Sequence, residues 1–158
     1  MSESTAPRSG HRAVRVGRPD GAEAAEDVAV LLVSHDGAAW LPTVLAGLAA
    51  QEAPVLGAVA VDTGSKDASA ELLGDAFGAD HVVAAPSSTT YPAAVRLGLE
   101  HLDRVGLRTE WVWLLHDDAS PHPEALLALL AGAADDPGAD VLGPVSYTHL
   151  TLPTIYSV

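Results

Sequence analysis

Apolar runs of strand length alternate along this chain with stretches whose apolar residues recur every three or four positions. Val28 to Ser34 (VAVLLVS) is apolar without interruption, the pattern of a strand buried on both faces. A helical stripe follows at Trp40, Leu41, Val44, Leu45 and Leu48, with Pro42 acceptable in a first turn. Val55 to Asp62 reads as a second strand. Ser65 or Asp67 can cap the next helix, whose apolar face is Ala68, Leu72, Leu73, Ala76 and Phe77. His81 to Ala84 is a short third strand. Tyr91, Ala94, Val95, Gly98, Leu102 and Val105 then share one helical face, with Gly98 allowing close packing. Glu110 to Leu115 is a fourth strand, Ser120-Pro121 opens a helix carrying Leu126, Leu127, Leu130 and Ala133, and Val141 to Leu142 begins a fifth strand.

Apolar strands separated by amphipathic helices need cover on both sheet faces, so the pattern predicts an α/β fold with a doubly wound, mostly parallel sheet of the Rossmann-like kind. Ligands of such sheets bind beyond the carboxyl ends of the strands. The residues leaving the strands are therefore the candidates: His35-Asp36, Asp62-Thr63-Gly64-Ser65, Pro86 to Thr90, and His116-Asp117-Asp118. Three of these four exits deliver Asp.

The ends differ from the centre. Residues 1–27 are rich in Ser, Pro, Gly, Arg, Glu and Ala and read as a disordered leader. Residues 145–158 have no Ala, Gly, Asp or Glu, yet hold the only Ile of the chain and two of its three Tyr. That tail resembles an in-frame translation of a transposase-type sequencing adapter and is expected to be non-native. The domain is therefore expected over 28–144, cut after about its fifth strand, with the natural protein continuing past Pro144.

At 158 residues the chain is long enough for one ordinary domain. With 8 Lys+Arg against 21 Asp+Glu the formal net charge is -13, which disfavours nucleic acid as a partner because that affinity rests on neutralising phosphates. Cysteine is absent, so disulfides and Cys-ligated zinc are excluded. No apolar run approaches the roughly 20 residues that cross a bilayer. The leader lacks the apolar core of a secretory signal, so a cytoplasmic location is expected.

The acidic exits carry the candidate chemistry. Two carboxylates about 4 Å apart repel by about 1 kcal/mol in water and about 4 kcal/mol at an effective dielectric near 20, so a cation beside Asp117 and Asp118 would offset them. Hard carboxylate oxygens suit Mg²⁺ or Mn²⁺, and such sites use one or two carboxylates together with substrate phosphate oxygens. The same Asp118, or Ser120, could simply cap the following helix. Asp62 can accept from a base N–H or a ribose hydroxyl, although strand-to-helix turns also favour Asp, Gly and Ser for local reasons.

Taken together, Val28-Ala-Val-Leu-Leu-Val-Ser-His-Asp36, Val61-Asp-Thr-Gly-Ser-Lys-Asp67 and Trp113-Leu-Leu-His-Asp-Asp118 resemble, in the same order, the nucleotide-sugar half of family 2 glycosyltransferases with the GT-A fold. The resemblance covers roughly Val28 to Pro144. It implies that Ser34, His35 and Asp36 lie along the base of the donor, that Asp62 contacts uracil or its equivalent, that Asp117 approaches the ribose and that Asp118 holds the metal. Arg96 stands where an Asn is common in the helix under the sugar site, and there it would steady phosphate. Thr63 replaces a frequent second acidic residue, and His116 replaces a first Asp, leaving an x-Asp-Asp motif. The implied reaction is metal-assisted, inverting transfer of a sugar from a nucleotide-diphosphate donor to a hydroxyl of a glycan, lipid or polymer. The family takes its catalytic base from a later segment, expected beyond residue 144, so the fragment itself is expected to be inactive. The resemblance also leaves room for membrane association of the full-length protein at the cytoplasmic face. A different class, a non-enzymatic flavodoxin-like signalling or binding domain, would want its acidic pair after the first strand and a Lys after the last. Here the pair follows the fourth strand, and the only Lys, Lys66, follows the second.

Overall fold

A computed structural model describes residues 28–143. The leader at 1–27 and the tail at 145–158 lie outside the described residues. Four strands, β1 (Val28–Ser34), β2 (Gly57–Asp62), β3 (Val82–Ala84) and β4 (Trp111–His116), form one sheet in the order β3-β2-β1-β4. Every pairing in it is parallel. The helices are α1 (Leu41–Ala49), α2 (Ser69–Phe77), α3 (Tyr91–Arg104) and α4 (Ala125–Asp135), and a short 3₁₀ turn, Ala79–His81, leads into β3.

The central strand explains its own sequence. All seven residues of β1 are buried, because β2 and β4 flank it and helices cover both of its faces. Ala29, Leu31 and Val33 face α3, packing with Val59, Val61, Ala94 and Leu102. Val30 and Leu32 face the other way, toward Leu41, Val44 and Leu48 of α1 and Leu73 of α2. Side chains such as Leu31 and Leu32, fully buried, each contribute roughly 1.5–3 kcal/mol. A Cβ on Gly98 would stand 2.1 Å from Leu31 Cδ1, so the bare backbone of α3 is what lets that helix sit on the sheet.

The structure corrects several expectations at the margins. Trp40 is 54% exposed and Tyr91 43% exposed, so neither belongs to the apolar face assigned to its helix. Helix α4 begins at Ala125 rather than at Ser120-Pro121. The reason is that Ser120 Oγ donates to Thr43 O, whereas the orphan N–H of Leu126 finds its acceptor in Gln51 Oε1, 75 residues away in the chain, at 3.0 Å. Leu127 on that helix is exposed while Leu126 is buried against Val28, Ala53 and the Trp111 and Trp113 side chains. Val141 and Leu142 form no strand: among the described residues the sheet ends at β4, and Val141 is open to solvent.

Candidate functional site

The winding direction of the sheet reverses between β1 and β4, since β2 and β3 lie to one side of β1 and β4 to the other. At such a switch point the loops leaving two adjacent strands diverge, one toward each face, and open a crevice. Ser34 and Asp117 meet at the ends of these two strands. Ser34 Oγ donates to Asp117 Oδ2 over 2.8 Å, and the His35 backbone N–H donates to the same oxygen over 2.7 Å. Asp117 is 2% exposed and Ser34 fully buried, so these bonds replace the water that each group has lost. Gly37 is required beside them, because a Cβ there would stand 2.2 Å from Asp117 Oδ2.

The turn after β2 organises the loop after β1. Asp36 N donates to Ser65 Oγ (2.9 Å), Gly37 N to Ser69 Oγ (2.8 Å) and Ala38 N to Asp67 Oδ2 (2.9 Å). In return the Asp36 carboxylate accepts the Lys66 N–H at 2.6 Å. Asp36 adopts a positive φ of 50°, a region that Asp tolerates better than most residues, and this turns its carboxylate toward the second loop. Asp67 also accepts from the Ser69 hydroxyl and the Ser69 N–H, so it both steadies the start of α2 and holds the neighbouring loop. The Ser69 hydroxyl and the Ala38 N–H hold its carboxyl below the ordinary Asp value.

Asp62 is buried at the end of β2, where its carboxylate accepts from the N–H and hydroxyl of Ser65. It shapes the turn, and it lines neither of the two clefts described below. His116 Nδ1 stands 2.9 Å from Asp117 Oδ1 and 3.0 Å from Asp118 Oδ1. The ligand atoms of His116, Asp117 and Asp118 all lie within 4.8 Å of one another, with Asp118 and His116 exposed and Asp117 buried.

A cleft of about 200 Å³ is lined by Val33 near the end of β1 and His35 after it, Thr63 after β2, Ser87, Thr89 and Tyr91 around the start of α3, and His116 at the end of β4. The rings of Tyr91 and His116 lie 5.9 Å apart at 41°. Ser87 and Thr89 belong to the strand exit Pro86 to Thr90 already picked out in the sequence, whereas Tyr91 was not among the expected site residues. The available signal was positional: Tyr91-Pro92 opens α3, and the start of a crossover helix in a parallel sheet lies at the carboxyl ends of the strands. Arg96 is exposed and lines a wider cleft of about 540 Å³ with Ser88, Thr89, Thr90 and Glu100, which shares only Thr89 with the first.

The arrangement is a parallel sheet with a polar-lined cleft at its strand exits, and comparison with known proteins identifies the lineage. The profile for Glycosyl transferase family 2 matches residues 29–156. The chain belongs to this family. Solved structures share the fold with this family 2 chain. TarS from S. aureus, solved as residues 1–349, superposes with a TM-score of 0.54 at 16% identity, over 69% of this chain and 32% of that one. The same protein in complex with UDP-GlcNAc matches with a TM-score of 0.49 at 17% identity, over 69% of this chain and 31% of that one. The chain thus spans about a third of the length of these structures. No curated protein matches it. Among the described residues no helix is long and apolar enough to cross a membrane.

Proposed function

We propose that this family 2 chain holds a nucleotide-diphosphate sugar at the β1/β4 switch point, and that the whole protein transfers the sugar to an acceptor hydroxyl. The observation that carries this reading is convergence. All four strand exits contribute to one cleft, and the His116 ring at its edge touches both the Asp117 and the Asp118 carboxylates.

A hard divalent cation fits the donor set of this cluster: two carboxylates and an imidazole whose ligand atoms already lie close together, one of the carboxylates exposed. Asp118 would be its principal ligand, with Asp117 Oδ1 and His116 beside it. Bound there, Mg²⁺ or Mn²⁺ supplies the positive charge that a departing diphosphate needs and that a chain of net charge -13 lacks. The protein's own groups do the positioning. Ser34 and the His35 N–H fix the Asp117 carboxylate, and the Asp36, Ser65 and Asp67 bonds fix the loop that carries His35. In this reading Ser34 and Asp62 act by holding the site in shape, His35 and Asp36 meet the donor, and Asp118, with Asp117 and His116 beside it, meets the ion. Arg96, which lines the adjoining cleft, is a cation available to the sugar-phosphate end.

Inverting transfer requires a carboxylate base facing the acceptor, and none of the described residues is assigned that role. The chain alone is therefore expected to bind donor weakly and not to turn over. Isothermal titration of nucleoside diphosphates with and without Mn²⁺, on the wild type and Asp118→Ala, tests the reading. Mn²⁺-dependent binding that falls about tenfold or more in the variant supports it. Metal-independent binding that Asp118→Ala leaves unchanged removes it.

A further inference from the structure

We infer that His116 is a direct ligand of the ion through Nδ1, and that this one nitrogen makes the site select a first-row transition ion, Mn²⁺ or Co²⁺, over Mg²⁺. The inference rests on the metal-assisted reading above and deepens it. It concerns which cation the cluster takes, on account of the histidine that stands before Asp117 and Asp118.

The buried carboxylate sets the geometry. Asp117 Oδ2 accepts from the Ser34 hydroxyl and the His35 N–H, at 2.8 and 2.7 Å, and is thereby committed to the protein. Among the described residues Oδ1 has no partner other than His116 Nδ1, at 2.9 Å. The Asp117 side chain is 3% exposed, so water is no substitute for that partner. Asp118, whose side chain is 61% exposed, brings Oδ1 to 3.0 Å from the same nitrogen. Two carboxylates thus share a single ring N–H, and a hydrogen on the line to one oxygen is off the line to the other. The Tyr91 ring, 5.9 Å away at 41°, packs beside the imidazole and helps to hold it there.

The same geometry suits an ion. Neighbouring ligands of an octahedral ion with bonds of about 2.1 Å stand about 3.0 Å apart, and Nδ1 already stands close to that distance from both oxygens. A neutral imidazole with its proton on Nε2 turns the Nδ1 lone pair to the place where the hydrogen was. A doubly charged ion there replaces one shared hydrogen between two negative groups. Which ion follows from the donor atoms. Mg²⁺ is held by oxygen and gives up its water reluctantly, so a nitrogen adds little to its affinity. First-row transition ions accept imidazole, with affinity rising from Mn²⁺ to Co²⁺. A carboxylate in place of His116 would make the set all oxygen and remove the distinction.

Mg²⁺, Mn²⁺ and Co²⁺ are titrated by calorimetry into the wild type, His116→Asp and His116→Gln at about pH 8, where an ordinary imidazole is neutral. The wild type is expected to bind Mn²⁺ and Co²⁺ about tenfold or more tighter than Mg²⁺, and Co²⁺ tighter than Mn²⁺. His116→Asp is expected to narrow the gap between Co²⁺ and Mg²⁺ by about tenfold or more, and His116→Gln to weaken Co²⁺ while leaving Mg²⁺ within about twofold. Circular dichroism checks the fold of each variant. Pulsed paramagnetic resonance of bound Mn²⁺, with and without UDP, is expected to show coupling to an imidazole nitrogen. Both His116 variants are expected to lose that coupling, and His122→Gln, a change at another exposed histidine, to keep it. An unchanged ratio of Co²⁺ to Mg²⁺ affinity in His116→Asp, or bound Mn²⁺ without a nitrogen coupling, would overturn the proposal and leave the Asp118 site standing. Failure of every ion to bind, with or without UDP, would overturn it together with the metal-assisted reading.

Discussion

The Ser34 hydroxyl and the Asp117 carboxylate, 83 positions apart in the chain, meet over 2.8 Å at the carboxyl ends of β1 and β4. The bond ties together the two strands between which the winding of the sheet reverses, and it does so out of reach of solvent. Replacing Ser34 by Ala leaves the buried Asp117 oxygen with one donor fewer. The expected loss of stability is about 1–3 kcal/mol, measured by urea denaturation. A variant as stable as the wild type would show that the hydroxyl has no structural part in the site.

Gly37 is the point where the loop after β1 must let Asp117 pass. Gly37→Ala adds a methyl group 2.2 Å from Asp117 Oδ2, so the carboxylate has to move. Overpacking of this kind costs about 1–3 kcal/mol. The displacement is expected also to weaken Mn²⁺-dependent nucleotide binding by about tenfold or more, a readout on which a remote destabilising substitution such as Gly98→Ala is expected to have little effect once both variants are folded. Calorimetry on the two variants makes the comparison.

Asp67 gives the protein a pH dependence whose sign can be worked out. Its carboxyl is held below the ordinary Asp value in the folded chain, by the Ser69 hydroxyl first and the Ala38 N–H next. A group depressed on folding contributes stability that is complete above its unfolded value, about 3.9, and that disappears as pH falls through the lower folded value. Thermal denaturation between about pH 5 and pH 3 is therefore expected to show a shallower acid loss for Asp67→Asn than for the wild type. Parallel curves would remove Asp67 from the account.

Gln51 joins α1 to α4 by three bonds: its Nε2 donates to Gly47 O (2.9 Å) and His122 O (2.7 Å), and its Oε1 accepts from Leu126 N (3.0 Å). Gln51→Ala is expected to cost about 1–3 kcal/mol and to raise hydrogen exchange in the first turn of α4 more than in β1. Uniform protection across both elements would contradict the role given to this side chain.

What the sequence settled by itself was the succession of elements. A strand enclosed on both faces has to be apolar along its length, and Val28 to Val33 is, while the sheet's outer strand keeps an apolar run from Trp111 to Leu115 although Leu114 is exposed; a helix lying on a sheet has to repeat its apolar residues near every 3.6, as Leu41, Val44 and Leu48 do. The acidic residues at the strand ends were legible for the same reason, since the end of a buried run is visible as a change of polarity. Only the tertiary structure decided which ends are neighbours. Periodicity states which face a residue takes and is silent on which strand lies beside it, so the order β3-β2-β1-β4, and with it the meeting of Ser34 with Asp117, came from packing. It likewise gave Ser65 and Asp67 a second task in the adjoining loop, left Tyr91 at the mouth of the cleft, replaced a local cap on α4 with Gln51, and left Val141 and Leu142 outside the sheet. Each of these depends on hydrogen bonds and contacts between residues distant in the chain, and a pattern read one window at a time carries no information about them.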